Sequence, residues 1–275
     1  MKQYFLKYSV GEMMNLKCKK VIIIGGGSGI GFETARLFIQ LGIDGIVLAG
    51  RNKEKLLNAK EKLISGLDSK TKIEICQFDI TDIGGHIDFI NECRDLFGNE
   101  PDGVIISSGM NADSGGWKGW NVSEELYDKV MDTNLKGPFF FIRNFSNYIE
   151  EIGARANICV VSSISAHRDL LGAYQFSKNI LSGIVSSYGK YLTEKGIILN
   201  CVEPGTTDTD MMPHLKSYTD GKREGNQWKD NGIGRVIRPE EIAETIAFLM
   251  SENSEILAGT CLLAGGGCKS IYRGN

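Results

Sequence analysis

The 275-residue sequence has no excess of positive charge, few prolines and histidines, and no long apolar run. Its 31 basic residues against 34 acidic residues leave a net charge of −3, so it lacks the basic field of a nucleic-acid-binding protein. No stretch approaches the roughly 18 apolar residues of a membrane span. The three histidines lie far apart, and no Cys/His cluster has metal-ligand spacing. We therefore expect no nucleic-acid partner, no membrane segment and no metal.

The seven cysteines, an odd number without closely spaced pairs, do not predict a disulfide framework. Cys159, Cys201 and Cys261 lie in apolar runs, where cysteine usually serves as a small core residue. These features favour the reducing cytoplasm as the location. Glycine is abundant, with 34 residues against five prolines, so the glycines do not indicate a linker-rich chain and need a local explanation.

Short β-branched runs alternate with segments of helical periodicity from residue 20 to residue 264. This alternation predicts parallel strands with crossover helices, and strands that are apolar throughout predict helices on both faces of the sheet. We predict seven strands, at residues 21–24, 45–49, 72–77, 103–106, 156–161, 197–202 and 259–263. We predict six helices, near residues 30–41, 52–66, 82–97, 123–150, 174–194 and 240–251.

The alternation is interrupted by no repeat, low-complexity segment or linker, so we predict a single α/β domain over residues 14–275. Residues 1–13 join no pattern and are predicted to be a disordered extension, unless the start codon has been assigned too early. Residues 205–234 are polar and rich in Gly, Asp and Lys. Because a long irregular connection in a compact domain is usually functional or mobile, we interpret this stretch as a loop that covers the substrate.

The first predicted strand runs into a glycine-rich turn that precedes a helix. Glycines allow the backbone to turn tightly and to approach a pyrophosphate, and the helix N-terminus offers free N–H groups at the positive end of its dipole. An isolated glycine cluster would indicate only a flexible loop, but between a strand and a helix it predicts a dinucleotide-binding site. The predicted binding residues of this turn are Gly25, Gly27, Ser28, Gly29, Ile30 and Gly31.

The end of the second strand bears on the choice of cofactor. In an NAD site an acidic residue at this point accepts a hydrogen bond from the ribose 2′-hydroxyl. Here Gly50 takes that place and Arg51 follows, and a guanidinium is suited to pair with a 2′-phosphate. The alternative is a surface arginine at a helix start, which the helix dipole disfavours. We predict NADP(H), in preference to NAD(H), as the cofactor.

Tyr174 and Lys178 are four residues apart on a predicted helix, which places both side chains on one face. Together with the glycine turn and with Ser162-Ser163 after the fifth strand, they make the chain resemble the short-chain dehydrogenase/reductases over about residues 15–267. The resemblance implies a Rossmann-type doubly wound parallel sheet in the order 3-2-1-4-5-6-7 and an oxidoreductase. Further motifs of the family occur in its order: Asp79-Ile80, Asn134, Asn200 to Gly205, and Thr209.

The resemblance also implies a role for each motif residue. Tyr174 would give its proton to the ketone oxygen, and the Lys178 ammonium would favour the phenolate and hold the nicotinamide ribose. Ser163 would hydrogen-bond the substrate oxygen as charge develops there. Asn134 would help to hold a water that connects the lysine to solvent. The implied cofactor contacts beyond the glycine turn are Tyr174, Lys178, Asp79, Ile80, Gly109, Thr207 and Thr209.

The sequence departs from the family pattern in two places near these residues. Ile106-Ser107-Ser108-Gly109 stands where Asn-Asn-Ala-Gly is usual, although Gly109 still permits a close backbone approach. The segment between Ser163 and Tyr174 is shorter than the family leads one to expect. Ser162 and Ser165 therefore remain alternatives to Ser163.

Three of the implied cofactor contacts have simpler interpretations. Asp79 could cap the following helix, although Asp82 is the better candidate for that cap. Thr207 and Thr209 could belong to a polar turn.

Tryptophans on two loops give the only indication of the substrate. Trp117 and Trp120 follow the fourth strand, and Trp228 lies in the polar loop. Aromatic walls suit a bulky apolar substrate such as a hydroxysteroid, although these rings could equally pack the loops or an interface. Arg168 and Asp169 are interpreted as loop charges.

Three functions are compatible with these motifs. The main hypothesis is an NADP(H)-dependent enzyme that interconverts a secondary alcohol and a ketone on a small molecule. The alternative within the same chemistry is a 3-oxoacyl-[acyl-carrier-protein] reductase of fatty-acid synthesis. A non-catalytic NADP-binding regulator is the alternative of another class, and the complete set of Asn134, Ser163, Tyr174 and Lys178 disfavours it.

The predicted helix 123–150 carries more apolar surface than one sheet face needs. Its phenylalanines are Phe139, Phe140, Phe141 and Phe145. The resemblance implies that this helix pairs across a twofold axis, which predicts a homodimer or homotetramer. Simple core packing is the alternative.

Overall fold

The computed structural model of the chain describes residues 14–67, 70–111, 120–168, 172–211 and 231–268. Seven strands form one sheet in the order β3-β2-β1-β4-β5-β6-β7, and every neighbouring pair is parallel. This order confirms the predicted Rossmann-type doubly wound sheet. The strands are β1 Lys20–Ile24, β2 Gly45–Gly50, β3 Lys72–Gln77, β4 Gly103–Ile106, β5 Ala156–Val161, β6 Ile197–Pro204 and β7 Cys261–Ala264.

Helices cover both faces of the sheet, because the strands are apolar on both faces. On one face, α1 Gly29–Gln40, α2 Lys53–Gly66 and α7 Pro239–Leu249 pack on residues such as Val21 and Ile23 of β1. On the other face, the alternate residues Ile22 and Ile24 meet the remaining core helices. These are α3 His86–Phe97, α5 Gly137–Glu151 and α6 Ala173–Thr193.

The predicted helix 123–150 is broken in the structure. It consists of α4 Glu124–Met131, a π-helical segment Asp132–Lys136 and then α5. Pro138 at the start of α5 has no N–H to donate to the carbonyl of Asn134 four residues earlier, so the α-helical ladder cannot continue through this point. Single π turns inside α-helices are frequent at functional sites, and this one contains Asn134.

Other boundaries shift by a few residues. The predicted helix 82–97 begins as a 3₁₀ turn, Ile83–Gly85, which Asp82 caps by accepting a hydrogen bond from the Gly85 N–H at 3.3 Å. Strand β6 extends to Pro204 because β7 pairs with its last four residues.

Two expectations about loops lie wholly or partly outside the described residues. Residues 1–13, expected to be a disordered extension, lie outside the described residues. So do residues 212–230 of the loop 205–234, which is expected to cover the substrate. No helix in the described part of the chain combines the length and the apolar composition that a membrane crossing requires.

Candidate active site

A cavity of about 670 Å³ opens at the carboxyl ends of the strands. It lies beside β1, where the strand order reverses: β2 and β3 lie on one side of β1, and β4 to β7 lie on the other. Open α/β sheets bind ligands at such a topological switch point. Nearly all of the predicted site residues line the cavity. They are Gly25, Ser28, Gly29, Ile30, Arg51, Asp79, Ile80, Gly109, Ser163, Tyr174, Lys178, Thr207 and Thr209.

The glycine turn forms one wall of the cavity. Gly25 and Gly29 have positive φ angles of 89° and 55°, which favour glycine. Gly31 is needed for packing, because a Cβ there would lie 2.3 Å from the Gly25 carbonyl oxygen. Gly27 does not line the cavity, and a Cβ there would make only ordinary contacts, the closest at 3.5 Å.

Helix α1 begins at this turn and points its N-terminus at the cavity. Its first N–H groups have no partner within the helix, and its first turn carries no acidic side chain. The positive end of the helix dipole is therefore available to an anion.

The different surroundings of Gly31 and Gly27 give a matched prediction. We expect Gly31→Ala to destabilise the fold by about 1–3 kcal/mol, as overpacking does, and to weaken NADPH binding because the turn must shift. We expect Gly27→Ala to change the free energy of unfolding by less than about 0.5 kcal/mol and to keep NADPH binding. Thermal unfolding and NADPH fluorescence titration of both variants measure this difference. Equal effects of the two substitutions would contradict it.

Arg51 lines the cavity after the end of β2, which is three positions along the sheet from β5. Its side chain is exposed, and its backbone carbonyl accepts a hydrogen bond from Gln77 Nε2 at 2.9 Å. The cap of α2 is Asn52, whose side chain accepts from the Lys55 N–H, so Arg51 precedes the helix. A Cβ at Gly50 would meet only Leu56, at 3.7 Å, so this position has room for a side chain.

Asp79 and Ile80 follow β3 and form the neighbouring wall. Asp79 Oδ1 accepts hydrogen bonds from the backbone N–H and the hydroxyl of Thr81, at 3.0 and 2.9 Å. It therefore shapes a turn, whereas Asp82 provides the cap.

The buried side chain of His86 contacts the backbone of Ile80, and nothing in the sequence indicated this contact. His86 is fully buried, and its Nε2 lies 2.9 Å from the Ile80 carbonyl oxygen. Burial lowers the pKa of His86, so the ring is neutral at pH 7.

Asn134 binds the loop that follows β4. Its Oδ1 accepts from the Met110 N–H at 2.8 Å, and its Nδ2 donates to the Met110 carbonyl at 2.9 Å. The same Nδ2 lies 3.3 Å from Ser177 Oγ on α6. A Cβ at Gly109 would make only ordinary contacts, with Asn134 Oδ1 at 3.5 Å and Lys178 Nζ at 3.6 Å, so the packing here does not require glycine. Asn134 is therefore at the junction of the loop, the π-helical segment and α6.

Ser163, Tyr174 and Lys178 converge where β5 ends and α6 begins. Ser163 and Tyr174 both line the cavity, and the Ser163 side chain lies close enough to the Tyr174 hydroxyl to lower its pKa. Lys178 Nζ lies 5.9 Å from the centre of the Tyr174 ring and donates to the Val161 carbonyl at 3.0 Å. The three side chains thus surround one point of the cavity.

Ser162 and Ser165 also line the cavity, and the hydroxyl of Ser162 is already engaged. Ser162 Oγ donates to the Lys178 carbonyl at 3.1 Å and accepts from Ser182 Oγ at 2.9 Å. The Ser165 N–H donates to Ser163 Oγ at 3.1 Å. This arrangement disfavours Ser162, whereas Ser163 and Ser165 both remain candidates.

The pKa values of the tyrosine and the lysine are both set mainly by burial. Burial raises the pKa of Tyr174, while the Ser163 side chain and the charge of Arg168 lower it by less. Burial lowers the pKa of Lys178 to about 8. The pKa of Tyr174 is thus raised, whereas a neighbouring ammonium was expected to lower it. The reason is that desolvation by burial outweighs the neighbouring groups that lower this pKa.

The two threonines after β6 have different surroundings. Thr207 Oγ1 donates to the Gly205 carbonyl at 2.9 Å, and its backbone bridges to Ile237, so it belongs to a turn. The Thr209 side chain faces Gly29, where a Cβ would come within 3.2 Å of it. Both residues line the cavity.

Several cavity residues were not predicted from the sequence. Ser108 Oγ and Asn111 Oδ1 are buried and have no hydrogen-bond partner among the described residues. Arg168, interpreted above as a loop charge, lines the cavity, and its positive charge lowers the pKa of Tyr174. Ser108 and Asn111 follow β4, and Arg168 follows β5. Because both strands end at the cavity, this position in the sequence could have indicated these residues.

These residues fit a dinucleotide. The glycine turn offers backbone N–H groups to a pyrophosphate, and Ser108 and Asn111 offer polar atoms that lack a partner in the described chain. The expected aromatic wall has less support. Trp120 is 81 % exposed and does not line the cavity, and Trp117, Asp169 and Trp228 lie outside the described residues.

Comparison with known proteins extends this result. A family model described as enoyl-(acyl carrier protein) reductase matches residues 25–269. The 3-oxoacyl-[acyl-carrier-protein] reductase FabG of Chlamydia muridarum is 30 % identical over 257 residues, which cover 90 % of this chain and 96 % of the relative. The L-2,3-butanediol dehydrogenase of Corynebacterium glutamicum is 27 % identical over 258 residues, which cover 90 % of this chain and 98 % of the relative.

Solved structures share the fold. A short-chain type dehydrogenase/reductase from Mycobacterium ulcerans has a TM-score of 0.79 at 22 % identity, covering 90 % of this chain and 89 % of the other. ElxO with NADP bound has a TM-score of 0.78 at 22 % identity, covering 90 % and 98 %. A 3-oxoacyl-[acyl-carrier protein] reductase with bound NAD from Brucella melitensis has a TM-score of 0.75 at 22 % identity, covering 91 % and 90 %. The chain therefore belongs to the short-chain dehydrogenase/reductase family of oxidoreductases.

Proposed function

We propose that the protein is an NADP(H)-dependent oxidoreductase that interconverts a secondary alcohol and a ketone. The observation that carries this proposal is the convergence of Ser163, Tyr174 and Lys178 on one cavity, which also contains a glycine turn and Arg51. A regulator without turnover would have no need of a serine–tyrosine–lysine set beside its cofactor.

The proposed roles follow from the positions of the side chains. The bound nicotinamide supplies or accepts the hydride. Tyr174 gives the ketone oxygen its proton, and Ser163, which lines the cavity beside Tyr174, binds the same oxygen as negative charge develops on it. Lys178, held by the Val161 carbonyl, faces the cofactor ribose, and Asn134 fixes the loop beside it.

The preference for NADP(H) rests on the end of β2. Gly50 provides no carboxylate for a ribose 2′-hydroxyl, and the exposed Arg51 borders the cavity where a 2′-phosphate would lie. ElxO, a structural neighbour, binds NADP, whereas the Brucella reductase is seen with NAD. The choice of cofactor therefore needs a test of its own, separate from the test of the reaction.

A 3-oxoacyl thioester is the second candidate substrate, and a specific observation favours it. The relative that is 30 % identical is named a 3-oxoacyl-[acyl-carrier-protein] reductase, and the match spans 96 % of its length. A bulky hydroxysteroid has less support, because the one described tryptophan is exposed outside the cavity.

A comparison of ketones tests the proposal. The loss of NADPH absorbance is followed with a 3-oxoacyl thioester, a short-chain 2-ketone, acetoin and a steroid ketone. We expect turnover that depends on Tyr174 with at least one of them, and the highest kcat/KM identifies the substrate class. Absence of turnover with all four, in both directions, would favour the cofactor-binding regulator.

The pKa of Lys178 predicts the pH dependence of reduction. Because burial lowers this pKa to about 8, the side chain is an ammonium below that pH and neutral above it. We expect kcat/KM for NADPH, which reports groups of the free enzyme, to fall as the pH rises through about 8. Lys178→Arg, which stays charged, should lose this inflection. A flat profile of the parent enzyme between about pH 6 and pH 10 would contradict the prediction.

We also propose that the protein works in the cytoplasm as a homodimer or homotetramer. Phe141 and Phe145 are fully buried in the core, so they cannot form the interface predicted for this helix. Phe139 is only partly buried and contacts Tyr188 of α6, which is 46 % exposed. Any twofold contact of these helices would therefore use this part of their surface.

A further inference from the structure

Two cysteines and a glutamate from neighbouring strands meet on one face of the sheet. Cys201 of β6 and Cys261 of β7 are directly opposite in the parallel register, and Glu203 is two residues beyond Cys201 on the same face. The two Sγ atoms and one carboxylate oxygen all lie within 4.8 Å of one another.

Only one of the two carboxylate oxygens of Glu203 has a hydrogen-bond partner among the described residues. Glu203 is 1 % exposed, and its Oε2 lies 2.6 Å from His167 Nε2. Its Oε1 is buried and has no hydrogen-bond partner among the described residues. A buried acceptor of this kind is costly unless something binds it. Because His167 occupies Oε2, Oε1 is the oxygen that remains for a ligand.

We propose that Cys201, Cys261 and Glu203 bind a thiophilic divalent cation of the Zn²⁺ type. Two thiolates and a carboxylate are ligands that such ions take, and water would complete a tetrahedral set. Zn–S bonds of about 2.3 Å place two tetrahedral sulfur ligands about 3.8 Å apart, so the side chains need to close by no more than about 1 Å.

The surroundings of the cluster allow an ion to enter and thiol protons to leave. Cys201 is buried against the α6 face of the sheet, but Cys261 on the edge strand is partly exposed. Each thiol loses its proton as it ligates, so two protons leave for every ion bound. The ion would tie β7 to β6 next to Pro204, which lines the active-site cavity.

Titration of the reduced full-length protein with Co²⁺ tests this site. We expect one ion per chain and a thiolate-to-cobalt charge-transfer absorption, both displaced by Zn²⁺. Cys201→Ser, Cys261→Ser and Glu203→Gln should each weaken binding at least about tenfold. The matched control is Cys93→Ser. Cys93 and Cys76 are neighbouring buried thiols outside this cluster, so this variant should bind Co²⁺ as the parent does.

A second measurement needs no variant, in case a substitution prevents folding. Zn²⁺ should slow the alkylation of the partly exposed Cys261 by iodoacetamide at least about tenfold, as read by peptide mass spectrometry. The proposal is overturned if the parent shows no charge-transfer absorption. It is also overturned if Cys261 is alkylated equally fast with and without Zn²⁺, or if both serine variants bind Co²⁺ like the parent.

Discussion

Tyr174→Phe is expected to lower ketone reduction by about 10²–10⁴-fold while NADPH binding stays within about twofold of the parent. The ring remains in place beside Lys178, whose Nζ lies 5.9 Å from its centre, so the cavity keeps its shape. Only the hydroxyl beside Ser163 is lost, and with it the proposed proton donor. Steady-state rates and NADPH fluorescence titration measure the two effects separately.

The matched control for this variant is Tyr188→Phe, on the same helix. Tyr188 is 46 % exposed and does not line the cavity, so its hydroxyl should have no effect on the rate. If Tyr174→Phe retained more than about a tenth of the parent activity, another group would have to supply the proton, and the proposed role would fail.

Reversal of cofactor preference is the second large effect that we expect. The parent should prefer NADP(H) by about tenfold to a hundredfold, because the Arg51 guanidinium pairs with a 2′-phosphate but remains partly screened by solvent. Gly50→Asp with Arg51→Leu should reverse the preference, since a carboxylate accepts from a 2′-hydroxyl and repels a phosphate. The introduced side chain fits, because a Cβ at Gly50 meets only Leu56 at 3.7 Å.

The measurement is kcat/KM with both cofactors for the parent and the double variant. Lys53→Leu is the control, since this exposed cation begins α2 but does not line the cavity, and it should leave the preference unchanged. A parent that prefers NADH, or a double variant with the parent's preference, would show that this turn does not select the cofactor.

The sheet and the glycine turn could be predicted because their signals are local. Short β-branched runs reveal buried parallel strands wherever they stand, and Gly25 and Gly29 occupy backbone conformations that other residues rarely adopt. The role of Gly27 was harder to judge. Glycines adjacent in sequence look equivalent, although only some of them face the cavity.

The sequence contains an indication of the π-helical break at Asp132–Lys136, although the apolar periodicity does not show it. The apolar pattern continues through residues 123–150 and predicts one helix, but Pro138 removes the donor that the Asn134 carbonyl would need. A proline inside an otherwise helical pattern is in itself a sequence signal for such an interruption.

Contacts between distant parts of the chain could not be predicted from spacing. His86 lies below Ile80 only because α3 folds back onto the end of β3. Cys201 and Cys261 are 60 positions apart, and only the pairing of β6 with β7 brings their thiols beside Glu203. The pKa of Tyr174 likewise depends on burial, which a Tyr-x-x-x-Lys pattern does not contain.

The Asn134 side-chain amide makes two hydrogen bonds to the Met110 backbone, one as acceptor and one as donor. A peptide group of an adjacent strand would make the same pair of bonds. Because the same amide also contacts Ser177 on the helix that carries Tyr174 and Lys178, one residue ties the loop after β4 to that helix. We therefore expect substitution of Asn134 to change kcat and the KM for the cofactor together. Asn134→Asp keeps the acceptor for the Met110 N–H but loses the donor, so it separates the anchoring of the loop from the bond to Ser177.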